Sequence, residues 1–130
     1  DVENLSFIPA IQPQLYNGTR IPFLDHSFDV ALLVTVLHHI PMERHEALLE
    51  EARRVARRVI LIEDVVSSPL NTWITWILDS LTNLEFFGHP HANRSVQEWA
   101  KVFQRCGFTE VGGVAFRSLG VIRQLMIVLE

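Results

Sequence analysis

The chain has 130 residues, of which 48% are hydrophobic and 20% charged, and this predicts one globular domain over residues 1–130. Eleven basic and fifteen acidic side chains give a formal charge of −4, which disfavours a nucleic-acid binder. The single cysteine excludes an internal disulfide and a zinc site of several cysteines, and it suits a reducing, cytoplasmic compartment. No run approaches the ~20 apolar residues of a membrane-spanning helix, so no membrane span is expected.

The first half of the chain is predicted to form a strand–helix–strand unit. Turn residues dominate the first twenty positions, where only short extended pieces are expected, at 5–8 and 14–16. The unbroken apolar run 30–34 predicts a strand buried on both faces. A helix is expected over about 42–57, with acidic residues early and basic residues late, followed by a second buried strand over 59–62. Such a unit is right-handed, and its two strands are parallel.

The second half is predicted to add two helices and a hairpin. An apolar helix is expected from 68 to about 84, and a capping box at Ser95 opens another helix that runs to 105. The runs 108–116 and 121–129 flank a short connection, which is typical of antiparallel strands. The predicted fold class is therefore α/β, with a mostly parallel sheet and an antiparallel hairpin at the C-terminus.

Candidate site residues follow the two buried strands, because open α/β sheets bind ligands beyond the carboxyl ends of their strands. The chain contains no glycine-rich phosphate loop, and Gly112–Gly113 indicates a bulge in a late strand. His38 is open to three interpretations: loop packing, contact with substrate or cofactor as a general base, or a metal ligand. His89 and His91 are spaced to chelate, but no third ligand is evident, so no metal site is predicted.

Two stretches of sequence together resemble a known signature. They are Ile21–Pro22–Phe23–Leu24–Asp25–His26–Ser27–Phe28–Asp29–Val30 and Val36–Leu37–His38–His39–Ile40. They resemble class I S-adenosylmethionine-dependent methyltransferases, and are closest to the branch usually called methyltransferase type 11. The resemblance implies a Rossmann-like sheet of seven strands whose last strand is antiparallel. The chain would hold the second half of that domain, N-terminally truncated, since the family's first strand and glycine-rich loop would lie upstream of Asp1.

The resemblance also implies S-adenosylmethionine as the cofactor and locates its contacts. Asp1 is at the place of an acidic residue that binds the cofactor ribose, although a terminal residue without a role is the alternative. Asn17 replaces an acid that accepts from the adenine amino group, with the Gly18 amide beside it; the pair is equally a plain turn. The expected cofactor edge after the first strand comprises Thr35, Val36, Leu37 and His38.

The function that the resemblance implies is methyl transfer to a small-molecule acceptor, by a longer chain of which this piece alone is expected to be inactive. His38, His89 and His91 are the candidate catalytic residues, the last two on the acceptor side. An inactive or structural α/β module that acts in assembly or binding is the alternative, and a homodimer is left open. A nicotinamide-dependent oxidoreductase is disfavoured, because the only tyrosine, Tyr16, and the only lysine, Lys101, lie far apart in the chain.

Overall fold

A computed structural model of the chain describes residues 13–66, 72–73, 77, 81, 92–118 and 122–130. These residues contain one sheet, whose strands are β1 (Phe28–Val34), β2 (Ala56–Asp64), β3 (Glu110–Ser118) and β4 (Ile122–Leu129). Two helices have both ends within the described residues. They are α1 (His45–Val55), between β1 and β2, and α2 (Val96–Arg105), before β3. Short 3₁₀ turns, Leu37–His39 and Met42–Arg44, link β1 to α1.

The strand order in the sheet is β1–β2–β4–β3. β1 and β2 are parallel, as the strand–helix–strand pattern predicts, with Leu32 opposite Ile60. β4 lies between β2 and β3 and is antiparallel to both, so one described pairing is parallel and two are antiparallel. The predicted C-terminal hairpin is confirmed. A shift of register between Glu110 and Gly112 confirms the bulge expected near the glycine pair.

The predicted helix over 42–57 is wrong at both ends. Its first three residues form a 3₁₀ turn, and α1 ends at Val55 because Ala56 is extended, with φ −128° and ψ 151°. Ala56 pairs with Phe28, so the parallel ladder takes this segment out of the helix in spite of its helix-forming Ala-Arg-Arg sequence. β2 consequently begins three residues before the predicted position 59.

The capping box predicted for α2 is confirmed. Ser95 Oγ accepts a hydrogen bond from the Glu98 backbone N–H at 3.3 Å, and the Glu98 carboxylate accepts from the Ser95 N–H at 2.8 Å. After the helix, Gly107 has a φ of +69°, and a Cβ there would lie 2.9 Å from an Arg53 guanidinium nitrogen. That guanidinium donates to the Cys106 carbonyl at 2.7 Å, and the positive φ of Gly107 is a left-handed conformation that favours glycine.

Both helices pack on the same face of the sheet and enclose the core. The largest fully buried side chains there include Leu49, Leu61, Trp99, Phe103 and Leu129. The opposite face is exposed in the described part of the chain: Leu32 of β1 and Phe116 of β3 are 61% and 40% exposed. The described elements therefore form a sheet with one helical layer and a second apolar face that is open to solvent, so the prediction that β1 is buried on both faces is wrong.

Arg54 of α1 holds the segment that carries the sequence signature. Its guanidinium donates to the carbonyls of Ile21 and Phe23 at 2.8 and 2.9 Å, and to the Asp25 carboxylate at 2.8 Å. Glu51 pairs with Arg54 and also accepts from the Ile21 N–H at 2.8 Å. These bonds hold the pKa of Glu51 at about 2, well below its usual 4.5. These bonds hold residues 21–25, which precede β1, against α1.

The predicted helix 68–84 and the predicted extended pieces 5–8 and 14–16 are only partly covered by the described residues. Thr72, Trp73, Ile77 and Leu81 are helical, within the predicted helix 68–84, whose other residues lie outside the described ones. The expected extended piece 5–8 also lies outside them, and 14–16 is not a strand. None of the described helices has both the length and the apolar character needed to cross a membrane.

Candidate functional site

The carboxyl ends of β1 and β2 lie side by side, as the parallel pairing requires. Thr35, directly after β1, donates its N–H to the Ile62 carbonyl of β2 at 2.8 Å. Its φ is +49°, a left-handed conformation that is uncommon for a β-branched residue. This conformation turns the chain sharply at the end of the strand and places the next residues across the edge of the sheet.

Glu63, near the end of β2, anchors that turn. One carboxylate oxygen accepts from the Val36 and Leu37 N–H groups at 2.8 and 2.7 Å. The other oxygen meets His38 Nδ1 at 2.8 Å. Glu63 is only 1% exposed, and the three donors compensate for the burial of its charge. Position alone placed Glu63 at the ligand edge, but no sequence pattern assigned it these partners.

The contact with Glu63 defines the protonation of His38. A carboxylate only accepts hydrogen bonds, so Nδ1 of His38 carries a proton and donates it to Glu63. His38 is 2% exposed and its ring lies 4.1 Å from that of His39, centroid to centroid. The pair has the chemistry of a general base oriented by a carboxylate.

A cavity of about 270 Å³ lies between the turn and the Asn17–Gly18 segment. Gly18 and Tyr16 form one side, and the other walls come from His39, Ile40, Pro41, Arg44 and Leu48. Burial and the nearby Glu51 carboxylate raise the pKa of Tyr16. Roughly 300 Å³ is the lower limit for pockets that enclose whole drug-sized ligands, so this cavity has room for an aromatic ring and not for a complete dinucleotide-sized cofactor.

The side-chain oxygen of Asn17 is engaged in its own turn. It accepts hydrogen bonds from the Thr19 N–H at 2.9 Å, the Thr19 hydroxyl at 2.8 Å and the Arg20 N–H at 3.0 Å. Gly18 follows with a φ of +81°. An amide oxygen has two lone pairs, so this one has no capacity left for a further donor. The Asn17 amide nitrogen and the Gly18 backbone are the groups of this turn that remain for a ligand.

Residues 92–94 run across both strand ends. The Ala92 N–H donates to the His38 carbonyl at 2.8 Å, and the Val66 N–H donates to the Arg94 carbonyl at 3.2 Å. Beside them, beyond the end of β2, is a larger cavity of about 440 Å³. It is lined by Val65, Val66, Thr72, Ser95, Val96, Gln97 and Arg123. The cavity opens at the edge where ligands of α/β sheets bind.

The structure thus brings together part of the predicted site. Thr35, Val36, Leu37 and His38 form one turn over the sheet edge, and Gly18 reaches the small cavity beside it. Asp1, His89 and His91 lie outside the described residues. Among the described residues, no group of three or more acidic, histidine or cysteine side chains has the arrangement of a metal site.

Comparison with known proteins agrees with this topology. The sequence model of a family described as "Methyltransferase domain" matches residues 3–59, which include the signature and α1. None of the curated proteins compared with the chain matches it. Among solved structures, a SAM-dependent methyltransferase from Methanosarcina mazei superposes with a TM-score of 0.69 and 15% identity over 89% of this chain. The chain has the class I methyltransferase fold.

Two further structures show the same relationship. A putative methyltransferase from Bacillus halodurans gives a TM-score of 0.64 at 12% identity over 88% of this chain. A 1,6-didemethyltoxoflavin-N1-methyltransferase from Burkholderia thailandensis, solved with 1,6-didemethyltoxoflavin and S-adenosylhomocysteine, gives 0.62 at 17% over 86%. The chain spans 65%, 68% and 47% of the lengths of the Methanosarcina, Bacillus and Burkholderia proteins. The resemblance to class I methyltransferases predicted from residues 21–40 is confirmed.

Proposed function

We propose that the chain is the second half of a class I methyltransferase domain, which transfers a methyl group from S-adenosylmethionine to a small-molecule acceptor. The observation that carries the proposal is the turn anchored by Glu63 at the carboxyl end of β1. It places an oriented imidazole, His38, at the ligand edge of a methyltransferase-type sheet. The Burkholderia protein, whose structure contains 1,6-didemethyltoxoflavin and S-adenosylhomocysteine, supports the proposal of a small-molecule acceptor.

The residues of the small cavity fit the adenine end of the cofactor. Its walls are largely apolar and its volume suits a flat ring, which would lie between Gly18 and the 39–41 segment. Because Glu63 already engages the Val36 and Leu37 N–H groups, these residues would contact the cofactor through side chains and carbonyls. Thr35 and His38 complete this edge. Asp1 as the ribose ligand remains part of the proposal.

His38 is the residue that we propose to take a proton from the acceptor. When bound, S-adenosylmethionine would supply an electrophilic methyl group. An acceptor that must lose a proton would give it to the His38 imidazole, and the charge that then forms on the ring would be stabilised by Glu63 at 2.8 Å. Nε2 is buried, which suits a reaction that excludes water but requires the acceptor to reach it.

The acceptor would enter through the 440 Å³ cavity beyond β2. Its walls combine aliphatic Val65, Val66 and Val96 with polar Ser95, Gln97 and the cationic Arg123. Apolar walls with a few polar groups are typical of small-molecule sites. His89 and His91 stay predictions for this side of the site. A cytoplasmic location goes with the proposal, since Cys106 is a buried free thiol.

Calorimetric titration with S-adenosylhomocysteine tests the proposal, using this chain and a version extended upstream. Binding by either one supports it, and binding by the extended version alone also supports the truncation. Gly18→Val should weaken binding because Gly18 lines the cavity with a φ of +81°. Gly112→Val is the matched control, since a Cβ there meets nothing within 4 Å. If neither folded version bound S-adenosylhomocysteine, the proposal would be refuted and the alternative of a structural module would be favoured.

The role of His38 is tested by kinetics of the version that binds. His38→Gln should lower kcat by about 10²–10⁴ if the acceptor must be deprotonated, with little change in cofactor affinity. His26→Gln, at an exposed turn before β1, is the control. A His38→Gln variant with unchanged kcat would show that the acceptor needs no base from this residue.

A further inference from the structure

Residues 92–94, the crossing segment, connect the two strand ends that form the proposed site. Ala92 holds the His38 carbonyl, while Arg94 pairs with Val65 in a parallel bridge and accepts from the Val66 N–H. The backbone of His38 is therefore held from two sides, by this segment and by the bonds from Glu63 to its turn. Interactions that hold the crossing segment in place therefore also hold His38, the proposed base, in place.

The side chain of Arg94 ties the crossing segment to His45, the first residue of α1. Arg94 Nε donates to His45 Nδ1 at 3.1 Å, and its terminal Nη2 reaches the Met42 carbonyl at 3.3 Å. His45 Nε2 lies 2.9 Å from the Ile40 carbonyl. A guanidinium cannot accept a hydrogen bond and a carbonyl cannot donate one. Both contacts are satisfied only by a neutral imidazole with its proton on Nε2.

Protonation of His45 would break this arrangement. A cationic ring carries a proton on Nδ1 as well, and that proton would point at the Arg94 N–H, so two donors and two positive charges would face each other. His45 is fully buried, stacked on Trp99 with centroids 5.4 Å apart, and Arg94 lies over the same indole at 5.6 Å. The ring therefore has no open side through which to relieve the repulsion.

The charges around His45 act in opposite directions. Burial is the largest influence and lowers its pKa below the usual 6.5, and the positive charge of Arg94 adds to this. The carbonyls of Ile40 and Leu37 and the carboxylate of Glu63 oppose it. The net pKa is lowered, so the ring is neutral at pH 7 and the arrangement seen in the structure is the neutral-pH state.

We propose that Arg94 and His45 are positioning residues for His38: neutral His45 holds the crossing segment over the two strand ends, and a protonated His45 releases it. The consequence for catalysis depends on the proposed function. The role of Arg94 and His45 in keeping the crossing segment in place does not. In acid, the bond from Ala92 to the His38 carbonyl opens and the proposed base loses one of its two supports. No covalent change is involved.

Nuclear magnetic resonance of the chain tests the holding directly. At pH 7.5 the imidazole ¹⁵N shifts of His45 should report the Nε2–H tautomer, and the Ala92 amide should be protected from hydrogen exchange. At pH 5.5 the protection factor of Ala92 should fall roughly tenfold, the effect of losing one hydrogen bond to a charged group. Arg94→Met should show the low protection at both pH values, and Arg57→Met, at an exposed position, should not.

His45→Gln separates the pH response from a merely structural role. Glutamine offers one acceptor and one donor, as neutral histidine does, but it does not titrate. This variant should keep Ala92 protected at pH 5.5, where the unchanged chain loses protection. An Nδ1–H tautomer of His45, or Ala92 protection that is indifferent to Arg94→Met, would overturn the proposal.

Kinetics of the version that binds cofactor tests the consequence for His38. Arg94→Met should lower kcat roughly tenfold while the KM for S-adenosylmethionine stays within about twofold, because the crossing segment holds the base and does not line the small cavity. If Arg94→Met removed the protection of the Ala92 amide from hydrogen exchange but left kcat unchanged, the proposal that the crossing segment positions His38 would be overturned. Absence of S-adenosylhomocysteine binding in the unchanged chain and its extended version would refute the proposed function, and the exchange results would still decide the holding of the segment.

Discussion

Replacement of Glu63 by alanine is expected to cost about 3–5 kcal/mol of stability, because it removes the acceptor for three donors at once. The Leu37 N–H and His38 Nδ1 are fully enclosed, and an unsatisfied buried donor costs about 1–3 kcal/mol each. The Val36 N–H lies nearer the surface and can be rehydrated, so it adds less. If the free energy of unfolding falls by about 2 kcal/mol per molar urea, the urea concentration at the unfolding midpoint should fall by roughly 2 M.

Urea denaturation followed by circular dichroism measures this loss, with two further variants for comparison. Glu63→Gln keeps an oxygen for the two backbone donors but turns an amide N–H₂ toward His38, so it should cost about 1–2 kcal/mol. Glu43→Ala, at an exposed position, should cost less than about 0.5 kcal/mol. If Glu63→Ala were within about 1 kcal/mol of Glu43→Ala, the turn after β1 would not depend on the buried carboxylate, and the reasoning would fail.

Two more predictions follow from packing and from charge. Leu61→Ala should cost about 2–5 kcal/mol, since Leu61 is 1% exposed, whereas Leu32→Ala on the open face should cost under about 1 kcal/mol; equal losses in urea denaturation would contradict the one-layer packing. Glu51 has a folded-state pKa of about 2 against 4.5, so its contribution is complete above pH 4.5 and is lost as the pH falls toward 2. The stability difference between the chain and Glu51→Gln should shrink over that range in acid titration, and a constant difference would contradict the pairing with Arg54.

The candidate site could be located from the sequence only in part. The apolar run before Thr35 and the histidines after it were enough to predict a turn at the ligand edge, because carboxyl ends of parallel strands share one edge. The resemblance implied that the Asn17 oxygen binds adenine, with a plain turn as the alternative, and three local donors occupy that oxygen. Short polar side chains satisfy nearby backbone first, and a pattern of residue types does not reveal which donor lies closest.

Local patterns determined the elements of this protein. The apolar runs predict β1 and β2, the capping box at Ser95 predicts the start of α2, and the two late runs predict the hairpin. Each depends on interactions within a few residues, which the sequence contains in full. The end of α1 did not follow in this way, because Ala56 leaves the helix in order to pair with Phe28, 28 positions earlier.

Only the tertiary structure decided which distant residues meet. The bonds from Glu63 to residues 36–38 span 25 to 27 positions, and the contact between Arg94 and His45 spans 49. Neither pair has a spacing that a helix or strand period could reveal. The parallel sheet brings the first pair together, and the packing of α2 beside α1 brings the second. The sequence by itself therefore determined the strands and the resemblance to methyltransferases, while the fold decided how the proposed base is oriented and held.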